Sequence, residues 1–403
     1  MTHILRAFVV SLAAILLAAG CAELQQRPCA PCAACPQCPP PAKPAAASYQ
    51  ETPYAALPGW QGSALVPSLR AFIIGCARIA APGALARACE AARVVPPDDE
   101  PAVRRFFEEA FVAHAVISAE GSAQGLVTGY YEPILAGSRT RSERYRIPVY
   151  GVPHDLVVVD LASLHPELRS LRLRGRVDGR RLVPYWSRAE IEDRAHADDS
   201  ASGWALGAPV LAWVEDPVEL FFLQIQGSGQ VALASGERIR LGYADQNGHP
   251  YRSLGRYLIE RGELTLEQAS MQGIKAWAAA NPVKLQEALN VNASYVFFRE
   301  LAGSDGPIGA LGVPLSAQYS IAVDLRYVPL GAPVFLATTF PLSSQPLERL
   351  VVAQDTGGAI RGAVRADFFW GTGAEPGTLA GRMRQQGRMW LLWPRGEPLP
   401  TLN

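Results

Sequence analysis

The spacing of apolar side chains divides the chain into four stretches. From Tyr54 to about Ile117 it is helical. Val103, Phe106, Phe107, Ala110, Phe111 and His114 share one face behind Pro101, which predicts a helix reaching His114 and makes that histidine a partly buried core residue. Between about Gly129 and Gly242 the runs shorten and predict strands at Ile147 to Val152, Leu156 to Asp160, Pro209 to Trp213 and Leu220 to Ile225, with a hairpin around Ser235 and Gly236. Helical spacing returns from Leu254 to Arg261, stopped by Gly262; Thr265 and Gln268 are placed as a capping box, and Asn281 with Pro282 breaks the run. From Gly306 to Trp393 short strands follow at Ser320 to Val323, Val334 to Ala337, Leu350 to Gln354, Ala363 to Phe369 and Met389 to Trp393. No repeat of fixed period is present. The pattern predicts a mainly β protein with helices.

Composition sharpens this picture. The 403 residues carry 37 basic and 37 acidic side chains, so no net field attracts a phosphate backbone, and a nucleic-acid partner is not expected. Charged residues make up only 18%, and 36 Gly with 33 Pro favour turns and strands over long helices. The length is enough for about two domains.

The N-terminus reads as an export signal. Arg6 precedes an apolar run from Ala7 to Ala19, too short to span a bilayer. Leu17, Ala18, Ala19, Gly20 and Cys21 resemble a bacterial lipobox, with Ala18 where a leucine is usual, so residues 1–20 are expected to be removed and Cys21 lipidated. Ala22 after the cysteine favours the outer membrane. Residues 21–53 then form a tether with seven prolines between Pro28 and Pro44. Within it Cys29, Cys32, Cys35 and Cys38 recur every third residue, a spacing reminiscent of iron–sulfur ligands; an exported tether favours disulfides instead. Cys76 and Cys89 close a loop short enough for a structural disulfide.

Metal chemistry is not expected. There are six His, no His-Glu-x-x-His and no paired His at ligand spacing, and no cofactor motif appears. Gly227, Ser228 and Gly229 form a glycine pair without the helix a nucleotide loop needs, and no Gly-x-Ser-x-Gly elbow is present. The informative stretch runs from Val351 to Gly373, with Asp355 and Asp367 at the ends of apolar runs and glycines or aromatics behind them, a close backbone approach and a stacking surface for a ligand. Asp355 opens the only Asp-Thr-Gly triplet, so a pepsin-like pair within one chain is excluded. It either accepts turn amides or serves the site. Asp367, between Arg365 and Phe368, Phe369 and Trp370, is either an acid whose pKa the apolar wall raises or the partner of Arg365 in a salt bridge.

Six segments in one order carry a resemblance: Thr128 to Pro133 (TGYYEP), Gln226 to Gly229 (QGSG), Asn247 to Gly255 (NGHPYRSLG), Ser294 to Phe298 (SYVFF), Gly312 to Leu315 (GVPL) and Gln354 to Gly371 (QDTGGAIRGAVRADFFWG). Together they resemble the membrane-bound lytic murein transglycosylase A family. The resemblance implies a double-psi β-barrel built from residues 54–133 and 304–397, a second β-domain inserted at 134–303, and a substrate groove between them. It implies cleavage of the β-1,4 bond between N-acetylmuramic acid and N-acetylglucosamine in peptidoglycan without water, leaving 1,6-anhydromuramic acid. It places Asp367 at the catalytic acid, with Asp355 in support, and makes Thr128, Tyr130, Tyr131, Gln226, Ser228 and Asn247 candidates for contacts with neutral sugar. Glu132 receives no catalytic role. The partners implied are peptidoglycan glycan strands and the membrane, through a lipid anchor on the periplasmic face of the outer membrane; cell-wall synthesis or division partners stay unspecified. A hydrolase of the same fold would need a second carboxylate, with Asp355, Glu132 and Asp245 as candidates. A non-catalytic wall-binding lipoprotein would need none.

Overall fold

A computed structural model describes residues 46–165, 168, 173–197, 207–303 and 306–402. The signal, Cys21 and the four tether cysteines lie outside the described residues. The fold begins earlier than the tether reading allowed: Ser48–Glu51 is a strand, β1, and not spacer. Helices α1 (Val66–Cys76), α2 (Ala86–Ala92) and α3 (Glu100–Ala110) follow. Cys76 and Cys89, both buried, are joined with their Cα atoms 5.5 Å apart, so α1 is tied to α2. In α3 the Asp99 carboxylate accepts from Ala102 N at 3.0 Å, and Val103, Phe106 and Phe107 are buried.

The helix expected to reach His114 ends at Ala110. Phe111–Ile117 is strand β2, paired antiparallel with β1 from Ser48↔Ile117 to Glu51↔His114. A run such as Phe-Val-Ala-His-Ala-Val-Ile satisfies either period, and the free edges of two neighbouring strands decide it. His114 is 9% exposed and is held by Val112 O through Nδ1 at 3.1 Å.

After β3 (Gly125–Glu132) the chain leaves the main sheet. The inserted part contains β4 (Ile134–Ser138), β5 (Ile147–Tyr150), β6 (Val157–Val158), β7 (Arg174–Asp178), β8 (Arg181–Pro184), β9 (Val210–Val214), β10 (Ser228–Leu233), β11 (Arg238–Gln246) and β12 (Val296–Glu300). Six of these form one sheet in the order β12-β11-β10-β4-β9-β5, and β6-β7-β8 form a small second one. Its helices are α4 (Arg188–Ala197), α5 (Pro217–Gln226), α6 (Leu254–Glu260), α7 (Met271–Ala280) and α8 (Pro282–Asn290).

Leu220 to Ile225, expected as a strand, lies in α5. Asp216 caps it, accepting from Val218 N at 2.8 Å and Glu219 N at 3.2 Å, and Gly227 ends it at φ +77°. The helix is apolar on most sides because it is buried on two: Leu220 and Leu223 enter the core of the inserted sheet, while Val218 and Phe221 pack against α6, α7 and α8. The capping box forms, with Thr265 N to Gln268 Oε1 at 3.0 Å and Gln268 N to Thr265 Oγ1 at 3.4 Å, yet it closes a turn. Ser270 caps α7 instead.

The main sheet resumes with β13 (Ser320–Val323), β14 (Pro333–Thr339), β15 (Pro346–Asp355), β16 (Arg365–Thr372), helix α9 (Ala374–Ala380) and β17 (Arg384–Pro394). Its order is β1-β2-β17-β14-β15-β13-β16-β3, and β17 also pairs with β3, so six strands close a circuit. The pairs β13–β15 and β16–β3 are parallel; the other four in the circuit are antiparallel. Phe72, Phe107, Phe335, Leu350, Phe368 and Leu391 are fully buried in its core. Each such side chain stabilises the fold by about 1.5–3 kcal/mol relative to exposure. Among the described residues no helix is long and apolar enough to cross a membrane.

Candidate active site

The parallel pairing of β16 with β3 sets Asp367 beside Thr128, and the antiparallel pairing with β13 sets it beside Ala322. Thr128 Oγ1 donates to Asp367 Oδ1 at 2.5 Å. Arg365 does not pair with Asp367. Its Nη2 donates to Thr128 Oγ1 at 2.9 Å, and its Nη1 donates to Ala366 O at 2.5 Å and Leu126 O at 3.3 Å. The expected alternative of a direct salt bridge is thus replaced by a relay through a hydroxyl. Asp367 keeps a little solvent exposure. Burial pushes its carboxyl above the usual carboxylate range, against the opposing pull of the Thr128 hydrogen bond and the Arg365 charge. Burial also lowers the Arg365 guanidinium.

Two residues along the same face of β3, Tyr130 OH donates to Asp355 Oδ2 at 3.1 Å. Asp355 Oδ1 accepts from Ala310 N and Thr356 N, both at 2.9 Å. Burial raises this carboxyl to about 6, opposed by those three donors and reinforced by the charge of Asp367. Desolvation and the two carboxylates hold the Tyr130 phenol well above its ordinary value. Asp355 therefore anchors two loops and also lies within electrostatic reach of Asp367. The aromatic residues after Asp367 offer no stacking surface, contrary to expectation: Phe368, Phe369 and Trp370 are buried, and Phe369 packs on Tyr130 with ring centroids 5.2 Å apart.

Tyr131 points to the other face of β3. Its OH donates to Met271 Sδ at 2.9 Å, and its N–H donates to Gln226 Oε1 at 3.1 Å. Tyr131, Phe222, Gln226, Tyr251, Met271 and Gly377 line a cavity of about 200 Å³ between the insert helices and α9. Since residues alternate across a strand, Tyr131 lines this cavity from the face of β3 opposite to that of Thr128 and Tyr130. Ser228 is partly exposed at the start of β10. Asn247 is a correction. It is 1% exposed, donates to Trp186 O and Ala293 O at 2.9 and 2.8 Å, and accepts from Tyr295 N at 2.9 Å and His249 N at 3.3 Å. No hydrogen-bonding capacity is left for a sugar.

Glu132 is fully buried where β3 passes into the insert. Its Oε2 accepts from Thr372 Oγ1 of the main sheet at 2.7 Å and from Gln230 Nε2 of the insert at 2.8 Å, while Oε1 has no hydrogen-bond partner among the described residues. Asp245 is paired with Arg174 at 2.7 Å. The roles of Arg365 and Glu132 were not legible beforehand, because their partners are remote in sequence.

Two family models match this chain: the MltA specific insert domain over residues 126–299 and the 3D domain over residues 319–393. They define a two-part class in which a mainly β body carries a second, inserted β part. Among solved structures, MltA from Neisseria gonorrhoeae in its monoclinic form is 43% identical, with a TM-score of 0.77 over 89% of this chain and 95% of that one. Escherichia coli MltA with bound chitohexaose is 27% identical, with a TM-score of 0.64 over 82% of this chain and 90% of that one. Membrane-bound lytic murein transglycosylase A of Escherichia coli strain K12 is 33% identical over 273 residues, 66% of this chain and 64% of that protein, so the alignment spans just under two thirds of the relative. The chain belongs to the membrane-bound lytic murein transglycosylase A family.

Proposed function

We propose that the protein is a lytic transglycosylase that cleaves the β-1,4 bond between N-acetylmuramic acid and N-acetylglucosamine in peptidoglycan without water, with Asp367 as its one acid and base. The observation that carries this reading is the contrast among carboxylates. Asp367 has one oxygen held by Thr128, and its Oδ2 has no hydrogen-bond partner among the described residues. Each candidate for a second catalytic carboxylate is committed elsewhere: Asp355 to two amides and a phenol, Glu132 to a buried junction, Asp245 to Arg174. A hydrolytic pair needs two free carboxyl groups. An internal nucleophile needs only one.

Asp367, protonated because burial favours the neutral form, gives its proton to the glycosidic oxygen as the C1–O bond breaks. As carboxylate it then takes the proton of the muramic acid C6 hydroxyl, whose oxygen bonds to C1 and closes the anhydro ring. Intramolecular attack supplies a high effective molarity, on the order of 7–11 kcal/mol of barrier at the upper limit. The bound chitohexaose of the Escherichia coli relative supports a glycan ligand. Gln226 and Ser228, both partly exposed, remain candidates for contacts with sugar hydroxyl and acetamido groups. Tyr130 and Tyr131, both buried, would act by holding Asp355 and the insert helices.

The closed six-strand circuit with its two parallel pairs supports a double-psi barrel, and the passage from Glu132 to Ile134 supports an insert starting near Pro133. The N-terminal sequence supports a lipid anchor at Cys21 and the outer membrane. Mass spectrometry of soluble products from purified sacculi tests the reading. Anhydromuramic ends are expected, and Asp367→Asn is expected to lose about 10²–10⁴-fold in rate. Reducing muramic acid ends would show a hydrolase, and undiminished release by D367N would end the assignment.

A further inference from the structure

We infer that Arg365, acting through the Thr128 hydroxyl, confines the catalytic proton to a single oxygen of Asp367, Oδ2. The inference rests on the reading of Asp367 as the acid and base, and it adds where on that carboxyl the proton travels.

The argument follows from donor and acceptor inventories. A guanidinium can only donate. Arg365 Nη2 donates to Thr128 Oγ1 at 2.9 Å, so the hydroxyl is an acceptor toward arginine. A threonine hydroxyl owns one proton, and the 2.5 Å contact with Asp367 Oδ1 is the place it goes. Oδ1 then receives a hydrogen bond in both protonation states, and because an unprotonated carboxyl oxygen is the stronger acceptor, this bond favours the neutral acid with its proton on Oδ2. The proton of the neutral acid sits on Oδ2, passes to the glycosidic oxygen, and is restored to Oδ2 from the C6 hydroxyl. Arg365 is itself held against reorientation, since Nη1 is bound by the carbonyls of Leu126 and Ala366 on the two strands that carry Thr128 and Asp367. The two strands are in parallel register at Asp367↔Thr128, so every member of the relay is anchored on one paired unit.

Arg365 and Thr128 are thus positioning residues, and their removal has a readout that a packing role lacks. Both stabilise the carboxylate form of Asp367; without either, that form is less favoured and the pKa rises further. Because the reaction starts from the protonated acid, the high-pH limb of kcat/KM moves to higher pH, by about one unit for a lost charge partner or charge-assisted hydrogen bond. At the same time kcat falls about tenfold or more, as the proton is no longer confined to one oxygen, with KM little changed.

The experiment records pH profiles of anhydro-muropeptide release from sacculi for the wild type and for Thr128→Val, Thr128→Ser, Arg365→Gln and Arg365→Lys, with Asp367→Asn alongside. T128V and R365Q are expected to shift the limb upward and lower kcat; T128S, which keeps the hydroxyl, is expected to restore the limb. R365K, which keeps a charge but not the fork, is expected to fall between R365Q and wild type. A limb that stays at the wild-type pH in T128V or in R365Q overturns the relay even if kcat falls. Should T128V not fold, R365Q against R365K decides alone. An active D367N would instead show that the underlying reading of the site is wrong.

Discussion

Tyr130 donates a 3.1 Å hydrogen bond to Asp355, and the residue two positions earlier on the same strand, Thr128, donates to Asp367. One face of β3 therefore holds both carboxylates, and Glu132 at its end holds the junction to the insert. The alternation of a β-strand places all three side chains on one side at a spacing set by the backbone alone.

Asp355 makes stability depend on pH in a definite direction. Its folded pKa of about 6 lies above the usual carboxylate value, so the folded state binds the proton more tightly than the unfolded chain does. The stability this contributes is complete below about pH 4 and is lost as pH rises through about 6, with Asp367 acting in the same sense. Asp355→Asn, which removes the titration and keeps an acceptor for the Ala310 and Thr356 amides, is expected to flatten this fall. Thermal melts from pH 4 to 7.5 check it: the mutant should gain relative to wild type as pH rises, by at most about 3 kcal/mol and less after screening by solvent. Parallel curves would contradict the assignment.

Glu132 joins the two parts of the body through one oxygen. Glu132→Ala removes the buried acceptor shared by the partly exposed Gln230 and the exposed Thr372, and at about 0.5–1.5 kcal/mol for each lost hydrogen bond it is expected to destabilise by about 1–3 kcal/mol. Glu132→Gln keeps an acceptor oxygen and should cost less than E132A. Urea unfolding of the two variants measures the difference, and equal losses would show that the contacts through Oε2 contribute little.

The disulfide between Cys76 and Cys89 closes a loop with a sequence separation of 13. Replacing both cysteines with alanine should lower stability by about 2–4 kcal/mol, mainly by freeing the unfolded chain. Reduction of the wild type is expected to reproduce that loss in denaturant melts. No further loss on adding reductant to the double mutant would tie the effect to this bond.

Several elements were legible from spacing alone. Ser320–Val323 is a strand over the expected residues, and Asn281 with Pro282 separates two helices where the break was read. The misreadings share a cause. Leu220 to Ile225 and Phe111 to Ile117 are apolar on more than one side, so neither period stands out, and the neighbours that bury them determine the backbone. For α5 the local signals were present in Asp216, Pro217 and Gly227. For β2 they were not, because its pairing with β1 depends on a segment that reads as tether. Asn247 looked available because amides suit sugars; its four hydrogen bonds go to groups brought there by folding.

The sequence by itself determined the mainly β character, the carboxylates at the ends of apolar runs, the helix stop at Gly262 and the break at Asn281 and Pro282, and the segments shared with a known family. These follow from local stereochemistry and from residues quoted in order. Only the tertiary structure decided that Thr128 and Asp367, 239 residues apart, are neighbours, and that Arg365 reaches the first and not the second. An alternating pattern states which face a side chain occupies but not which strand lies beside it; that choice belongs to the pairing of the whole sheet.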